Sequence, residues 1–479
     1  MISDAVTGRP PLLALALGLA LSTGLVIAAP ATPPAEVSQP PGSAEELRQQ
    51  VTAAQRLVET VRGVPFKGSV ASAFLAEKEL PRLLEKKLVE DLPAPFPRYA
   101  ASLAAVGLIE PQPDLLRKLV QLYSRQVAGF YDPSERKFYV VTERANLGGL
   151  GDMPELGGGT SGMLQEALLT HELTHALQDR RLDLDRRIKG LKESTDGLLA
   201  LQAFLEGEAT LVMMEALLSK LPEETRALLG GGDMLAELLK GLGAGGTPIE
   251  GSEGVPEFFV KELLFPYSAG TAWVQKRKQA GGWAAVDELY ARPPRSTSEI
   301  LHPERPLRPP AASSELRPTA RELPAGAKPL YHDTLGEWVL SQLLERAGAG
   351  EEAARLAAQR EDDRILYFEF EGEHVGFLWR IRCTSAESAA RLAAALEPLY
   401  TGRPAKVRPW IRARESVVEV ARGIARVTGE SGSMARRRRE ATETWQRHVA
   451  GRATDDNAAS GPLSPVTPDP EVVVRAVAR

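Results

Sequence analysis

The 479-residue chain holds one cysteine and six histidines and has no excess of basic residues. One cysteine rules out an internal disulfide framework and any cysteine-based zinc ribbon, so an apolar core must carry stability. With 58 Lys and Arg against 63 Asp and Glu the formal net charge is −5. That balance argues against a dedicated nucleic-acid binder, and no nucleic-acid partner is expected. An internal repeat of roughly 20 to 50 residues is also missing, which excludes solenoids and propellers. What is present suffices for a globular protein: 43% of the residues are hydrophobic, and the length corresponds to two or three domains at about 150 residues each. Because histidine is scarce, any two at metal-ligand spacing become informative.

Residues 11–29 carry no charge, are rich in Leu and Ala, and are followed by a Pro-rich stretch. Val26-Ile27-Ala28 before Ala29 places small residues where a signal peptidase would cut, after Ala28. The run of about 19 residues also suits a retained membrane anchor. No cysteine follows it, which excludes a lipid-modified N-terminus. Residues 1–29 are therefore expected to be a signal peptide or membrane anchor and 30–43 a Pro-rich linker. The protein is expected to be exported, periplasmic or secreted, with no membrane association beyond such an anchor.

The rest reads as an α+β protein, predominantly helical. Helical patterns at 45–62, 71–90 and 113–125 suggest an N-terminal helical subdomain, 44–125. Short β-type runs at 127–131 and 137–142 flank Asp132-Pro133-Ser134-Glu135-Arg136, which has turn composition. After a Gly-rich loop at 147–162, helices are expected at 161–180, 195–220, 223–242, 256–264, 268–280 and 284–290, within a domain 126–332. A small α+β domain, 333–425, follows. It has helices at 334–347 and 351–359, strands at 364–371, 374–383, 405–410 and 416–421, and a Thr384/Glu387 capping box opening a helix that ends near Tyr400. Val375, Phe377, Trp379, Ile381 and Cys383 share one strand face, where Cys383 is a small core residue. The tail 426–479, with Arg436 to Arg439, reads as mobile and solvated.

The chemistry concentrates at His171-Glu172-Leu173-Thr174-His175. Leu164, Leu168, His171 and His175 advance by 4, 3 and 4, so they share one helix face. An i, i+4 pair stacks two imidazoles one turn apart, near enough to share a metal, while Glu172 sits about 100° round. Zinc suits such a pair, with Glu172 as the general base. The alternative is two satisfied core histidines, which would leave Glu172 without a role. A catalytic zinc usually needs a third protein ligand. Residues 198–218 are apolar apart from Gln202, Glu206, Glu208, Thr210 and Glu215, and a carboxylate on so apolar a helix needs a partner or a metal. Glu206 and Glu208 lie about 200° apart and cannot both face one ion. The Glu206 face carries no other charge, whereas the Glu208 face includes Glu215 and reads as the more solvated side. Glu206 is favoured; Glu208 stays open.

His171-Glu172-Leu173-Thr174-His175-Ala176 resembles the active-site helix of thermolysin-like peptidases. Glu206-Gly207-Glu208-Ala209 resembles the Glu-Gly-x-Ala of aminopeptidase-type gluzincins, whose first Glu is a zinc ligand. Thermolysin's Asn-Glu-Ala would align Glu208 instead, and the 30 residues between His175 and Glu206 exceed the interval in either family. With Gly129-Phe130-Tyr131-Asp132-Pro133, Phe265-Pro266-Tyr267 plus Gly270, and Ser296-Thr297-Ser298-Glu299 through Leu301-His302-Pro303, the pattern also resembles a group of exported bacterial zinc-peptidase-like proteins, over about residues 100–305. The resemblance implies a zincin-like catalytic domain, a peptide or protein substrate, and a zinc held by His171, His175 and Glu206 with Glu172 as base. It also implies a Tyr or His donor for the oxyanion, for which Tyr267 and His302 are the candidates, and an edge strand along the cleft, for which 137–142 is the candidate. The rival readings are an inactive zincin-fold scaffold and a zinc amidase acting on cell-wall material. His332, His374 and His448 read as structural or solvated.

Overall fold

The computed structural model describes residues 44–90, 92–141, 160–220, 223, 249–305, 314–371, 374–401 and 408–423. The N-terminal segment and linker, most of the Gly-rich loop, the helix expected at 223–242 beyond its first residue, and the tail 426–479 lie outside the described residues. The chain is mixed α+β and mainly helical. It divides into two compact units. The larger comprises the described parts of Thr7–Ala100 and Pro111–Pro310, and the smaller comprises Ala101–Glu110 with the described part of Ala311–Arg479. The boundary expected at 125/126 falls inside the larger unit.

The larger unit opens with α1 (Ala44–Arg62), β1 (Ala71–Leu75) and α2 (Leu80–Glu90), and α3 (Phe96–Val106) runs from it into the smaller unit. The stretch 71–90, expected to be one helix, begins as a strand. Ala71 to Leu75 pair in parallel with residues 137–141, and helical periodicity starts only at Leu80, where Leu80, Leu84 and Leu88 are buried at successive turns. There follow α4 (Leu115–Gln126), β2 (Gly129–Asp132) and β3 (Lys137–Val141). The β2–β3 hairpin turns where Asp132 Oδ1 accepts from Ser134 N and Oγ and from Glu135 N, an Asx turn. The sheet order is β1-β3-β2. Residues 137–141 thus form the central strand of this sheet among the described residues, not the expected edge, because β1 supplies a partner on the other side.

Next come α5 (Thr160–Leu182), α6 (Leu184–Gly190), α7 (Thr195–Ser219), α8 (Glu257–Phe265), a π-helical turn (Pro266–Gly270), α9 (Thr271–Ala291) and α10 (Thr297–Leu301). Leu47, Val51, Ala54 and Val58 of α1 pack with Tyr131, Phe138 and Val140 of the hairpin and with Leu173, Ala176, Leu177 and Val212. By length and composition α7 could cross a membrane, but 89% of its apolar window is buried within the protein. It is a core helix, started by Ser194, whose Oγ accepts from Gly197 N. The two helices expected at 268–280 and 284–290 are both present, meeting within α9 at a non-helical break. The kink lies at Gly281 and Gly282, the latter at φ 66°, where glycine alone carries no steric penalty.

The smaller unit is built on an antiparallel sheet of order β4-β5-β6-β8-β7. Its elements are β4 (Lys328–Asp333), α11 (Gly336–Arg346), α12 (Glu352–Ala357), β5 (Arg360–Phe370), β6 (His374–Cys383), α13 (Ala386–Leu396), β7 (Trp410–Arg414) and β8 (Val417–Arg422). Val375, Phe377, Trp379, Ile381 and Cys383 are all buried. Strand β4 escaped the sequence reading because Pro329 and a register shift before Tyr331 interrupt its alternation; Pro is tolerated on such an edge strand. The cap of α13 is Ser385, which accepts from Ser388 N, rather than the expected Thr384. Thr384 Oγ1 is engaged with Gln359 Oε1 instead.

Asp363 ties this unit together. Its buried carboxylate accepts from Leu335 N and Gly336 N at 3.0 Å, from Trp379 Nε1 at 2.9 Å, and from Arg360 Nε. It joins the start of α11 to β5 and β6. Burial alone would raise its pKa, but Arg360 and the other donors hold it below the ordinary carboxylate range. A depressed pKa contributes stability above the unfolded value of about 3.9, and that contribution is lost as pH falls through the folded value. Asp363→Ala should therefore cost about 3 to 5 kcal/mol at neutral pH, because it removes the carboxylate to which the buried Arg360 donates. Hydrogen exchange of the segments around Leu335 and in β6 should show the loss, and unchanged protection there would refute the role.

Candidate metal centre

Helix α5 carries His171, Glu172 and His175, all buried, and α7 packs along it. Residues 169–179 of α5 and 196–212 of α7 are buried throughout, so polar groups on their mutual face are enclosed. His171 Nε2 lies 3.2 Å from His175 Nε2 and 3.2 Å from Glu206 Oε2, and His175 Nε2 lies 3.5 Å from the same oxygen. Together the three residues form a group able to hold a metal ion. Metal bonds of about 2.0 to 2.1 Å at tetrahedral angles put neighbouring ligand atoms about 3.3 Å apart, which the three observed separations match.

The hydrogen bonds explain why a cation belongs there. Gln178 Nε2 donates to Leu205 O and Glu208 Oε2, so Gln178 Oε1 is the atom that meets His175 Nδ1, at 2.8 Å. An amide oxygen only accepts, so His175 Nδ1 carries a proton, and in the neutral ring Nε2 presents a lone pair. That lone pair faces Glu206 Oε2 and His171 Nε2. A cation between the three would take that lone pair, the Glu206 oxygen and, with the His171 proton on Nδ1, the lone pair of His171 Nε2.

The titration behaviour has the same origin. Burial would lower the pKa of His175, but Glu206, Glu172 and the Gln178 bond outweigh it and push the ring up to about 9. His171 moves down, through burial and the neighbouring His175, against the pull of Glu206. Burial would raise Glu206, yet the two histidines hold it below its usual value. Absent a metal, one proton on His175 supplies the missing charge.

Glu172 stays outside the ligand group. Its Oε2 accepts from the backbone N–H of Tyr131 in β2, at 3.1 Å, which fixes its position. Tyr131 OH in turn donates to Asp179 Oδ2 at 2.9 Å, further along α5. Glu208, the other ligand candidate, faces away from the group. It is fully buried, contrary to the expected solvated side, because Arg62 neutralises it: Arg62 Nε donates to Oε1 at 2.7 Å and Tyr290 OH to Oε2 at 2.5 Å.

Tyr267 lies beside the ligand group. The Tyr267 ring lies 6.4 Å from that of His171, at 26°. Its hydroxyl has no hydrogen bond of good geometry among the described residues. Burial and the charges of Glu206 and Glu172 raise its pKa well above the usual value, so it stays a protonated donor. His302 caps α10, with Nδ1 3.6 Å from Glu304 Oε1, and is no part of the ligand group. Gln178 received no role from the sequence, although it stands one turn beyond His175, and Tyr131 entered only within the Gly129–Pro133 motif. Arg62, 146 residues before Glu208, gave no sequence signal.

Two glycines set the position of Tyr267. The π-helical turn that carries it lies backbone to backbone against α7. A Cβ on Gly207 would sit 2.4 Å from Gly270 C, and one on Gly270 would sit 2.1 Å from Ala203 O. The π form is a deformation often found at functional sites.

Compared with protein-family models, curated proteins and solved structures, the chain finds no match in any of the three.

Gly270→Ala should force the turn away from α7 and destabilise the protein by about 3 kcal/mol. Gly190→Ala, where nothing lies within 4 Å of the added methyl, should be near neutral. Thermal midpoints of the two variants make the comparison, and equal midpoints would refute the close approach.

Proposed function

We propose that the chain is an exported zinc metallopeptidase of gluzincin type, with His171, His175 and Glu206 as zinc ligands and Glu172 as general base. One observation carries this reading: two imidazoles and a carboxylate converge at metal-ligand spacing, with a second buried carboxylate, Glu172, anchored beside them and outside the group. Two nitrogens and one oxygen suit zinc and leave its fourth position for the reaction. A sheet beside the histidine-bearing helix, with the third ligand supplied from a second helix, supports a zincin-like reading of the larger unit. Export rests on the apolar run 11–29.

Zinc, when bound, supplies a Lewis acid that polarises a scissile carbonyl and makes water acidic enough to react near neutral pH. The chain's own residues do the rest. Glu172, held at Oε2 by the Tyr131 amide, takes the proton of the attacking water and passes it to the leaving amine. Tyr267, kept protonated, donates to the oxyanion of the tetrahedral intermediate, a contribution of roughly 10²- to 10³-fold for one such donor. Intact Glu172 favours an enzyme over an inactive scaffold, since a retired site has no need of the base.

The test is metal content and peptide hydrolysis for wild type and Glu172→Gln. The variant should retain about one zinc per chain and lose roughly 10²- to 10⁴-fold in rate. An unaltered rate would refute the mechanism, and a wild type that binds zinc yet cleaves no peptide would favour the scaffold.

A further inference from the structure

We infer that Gln178 is a positioning residue for the metal centre, holding His175 in the one tautomer that can bind a cation. The inference rests on the metallopeptidase reading above and adds a residue to it.

A glutamine side chain can turn over and exchange its donor and acceptor ends at little cost in shape. Here it cannot. One end of Gln178 lies 2.9 Å from Leu205 O and 2.9 Å from Glu208 Oε2, and both of those are acceptors. The end facing them must be the NH₂. The carbonyl end is thereby fixed on His175 Nδ1, which must donate, so in the neutral ring Nε2 is the lone-pair nitrogen, aimed at Glu206 and His171. Had the amide the other orientation, Nδ1 would accept, Nε2 would carry the proton, and the ring could not coordinate through it.

Helix α7 therefore serves the site from two positions. Glu206 faces the ligand group directly, and Glu208, two residues on, acts through Gln178. Burying a second carboxylate is costly, and an ion pair with Arg62 recovers only part of that cost. The pair is nonetheless built with care. Arg62 also donates to Asp287 Oδ1 at 2.7 Å, an oxygen shared with Arg181, and stacks 4.1 Å over the Trp283 ring. The orientation of Gln178 gives this buried assembly a purpose that stability alone does not. Partners of ligating histidines commonly govern affinity in this way.

The experiment is zinc affinity of the full chain by competition with a chelator, beside the thermal midpoint of the zinc-free chain, for wild type, Gln178→Leu and Gln178→Glu. Gln178→Leu removes the acceptor and should weaken zinc about 10- to 100-fold. Gln178→Glu keeps an acceptor for His175 Nδ1, so it should bind zinc more tightly than Gln178→Leu even where its zinc-free midpoint is the lower of the two, since it sets a second acid against Glu208. A merely structural role would instead make affinity follow stability. Wild-type binding with Gln178→Leu unchanged, or with Gln178→Glu no tighter than Gln178→Leu, would overturn this inference alone. A wild type that binds no zinc would overturn the metal-centre reading and this inference with it.

Discussion

Two imidazole nitrogens and one carboxylate oxygen face one another at 3.2 to 3.5 Å among buried side chains, and much of the larger unit is arranged around that meeting. It needs two largely buried helices, α5 and α7, to bring the histidines and Glu206 together. It needs a fixed tautomer, which the amide of Gln178 supplies. It needs the backbone of the π-helical turn against α7, which Gly207 and Gly270 permit by having no side chains to interpose. The packing of α1 over α5 and the hairpin then places Arg62 and the Tyr131 amide on either side of the site.

Four buried carboxylates show how the protein handles such charges. Asp196, at the start of α7, accepts from Thr297 N and Oγ1 at 2.7 and 2.6 Å, and so pins α10 to the same helix. Glu206 faces the histidines, and Glu208 is paired with Arg62. Glu262 in α8 shows the other outcome: burial pushes its pKa up to about 8, so at neutral pH it is mostly protonated. A carboxylate in these surroundings is either matched or discharged.

The central motif was legible because its spacing is local: a four-residue step on a helix stacks two histidines whatever the rest of the fold does. Glu206 was legible for a related reason, as a carboxylate alone on an apolar helical face. The reading of Glu208 as solvated failed because its partner lies far away in the chain, and no periodicity reveals a tertiary ion pair. Strand β1 was hidden in a run that continues into a helix, since parallel pairing with β3 depends on a segment more than 60 residues later. Strand β6 was plain from its alternation, while β4 was masked by Pro329 and a shifted register. Tyr267 and His302 were equivalent in sequence, each beside a proline, and the stacking of Tyr267 near His171 depends on the packing of the π-helical turn against α7, which no local pattern reveals.

The claim on which the rest depends is that two imidazoles and one carboxylate bind a single ion. X-ray absorption at the zinc edge, on the full chain loaded with one equivalent of zinc, tests it most directly. A four-coordinate first shell of nitrogen and oxygen at about 2.0 to 2.1 Å is expected, with the outer-shell scattering of two imidazoles. A sulfur scatterer near 2.3 Å, or an all-oxygen shell without imidazole scattering, would contradict it.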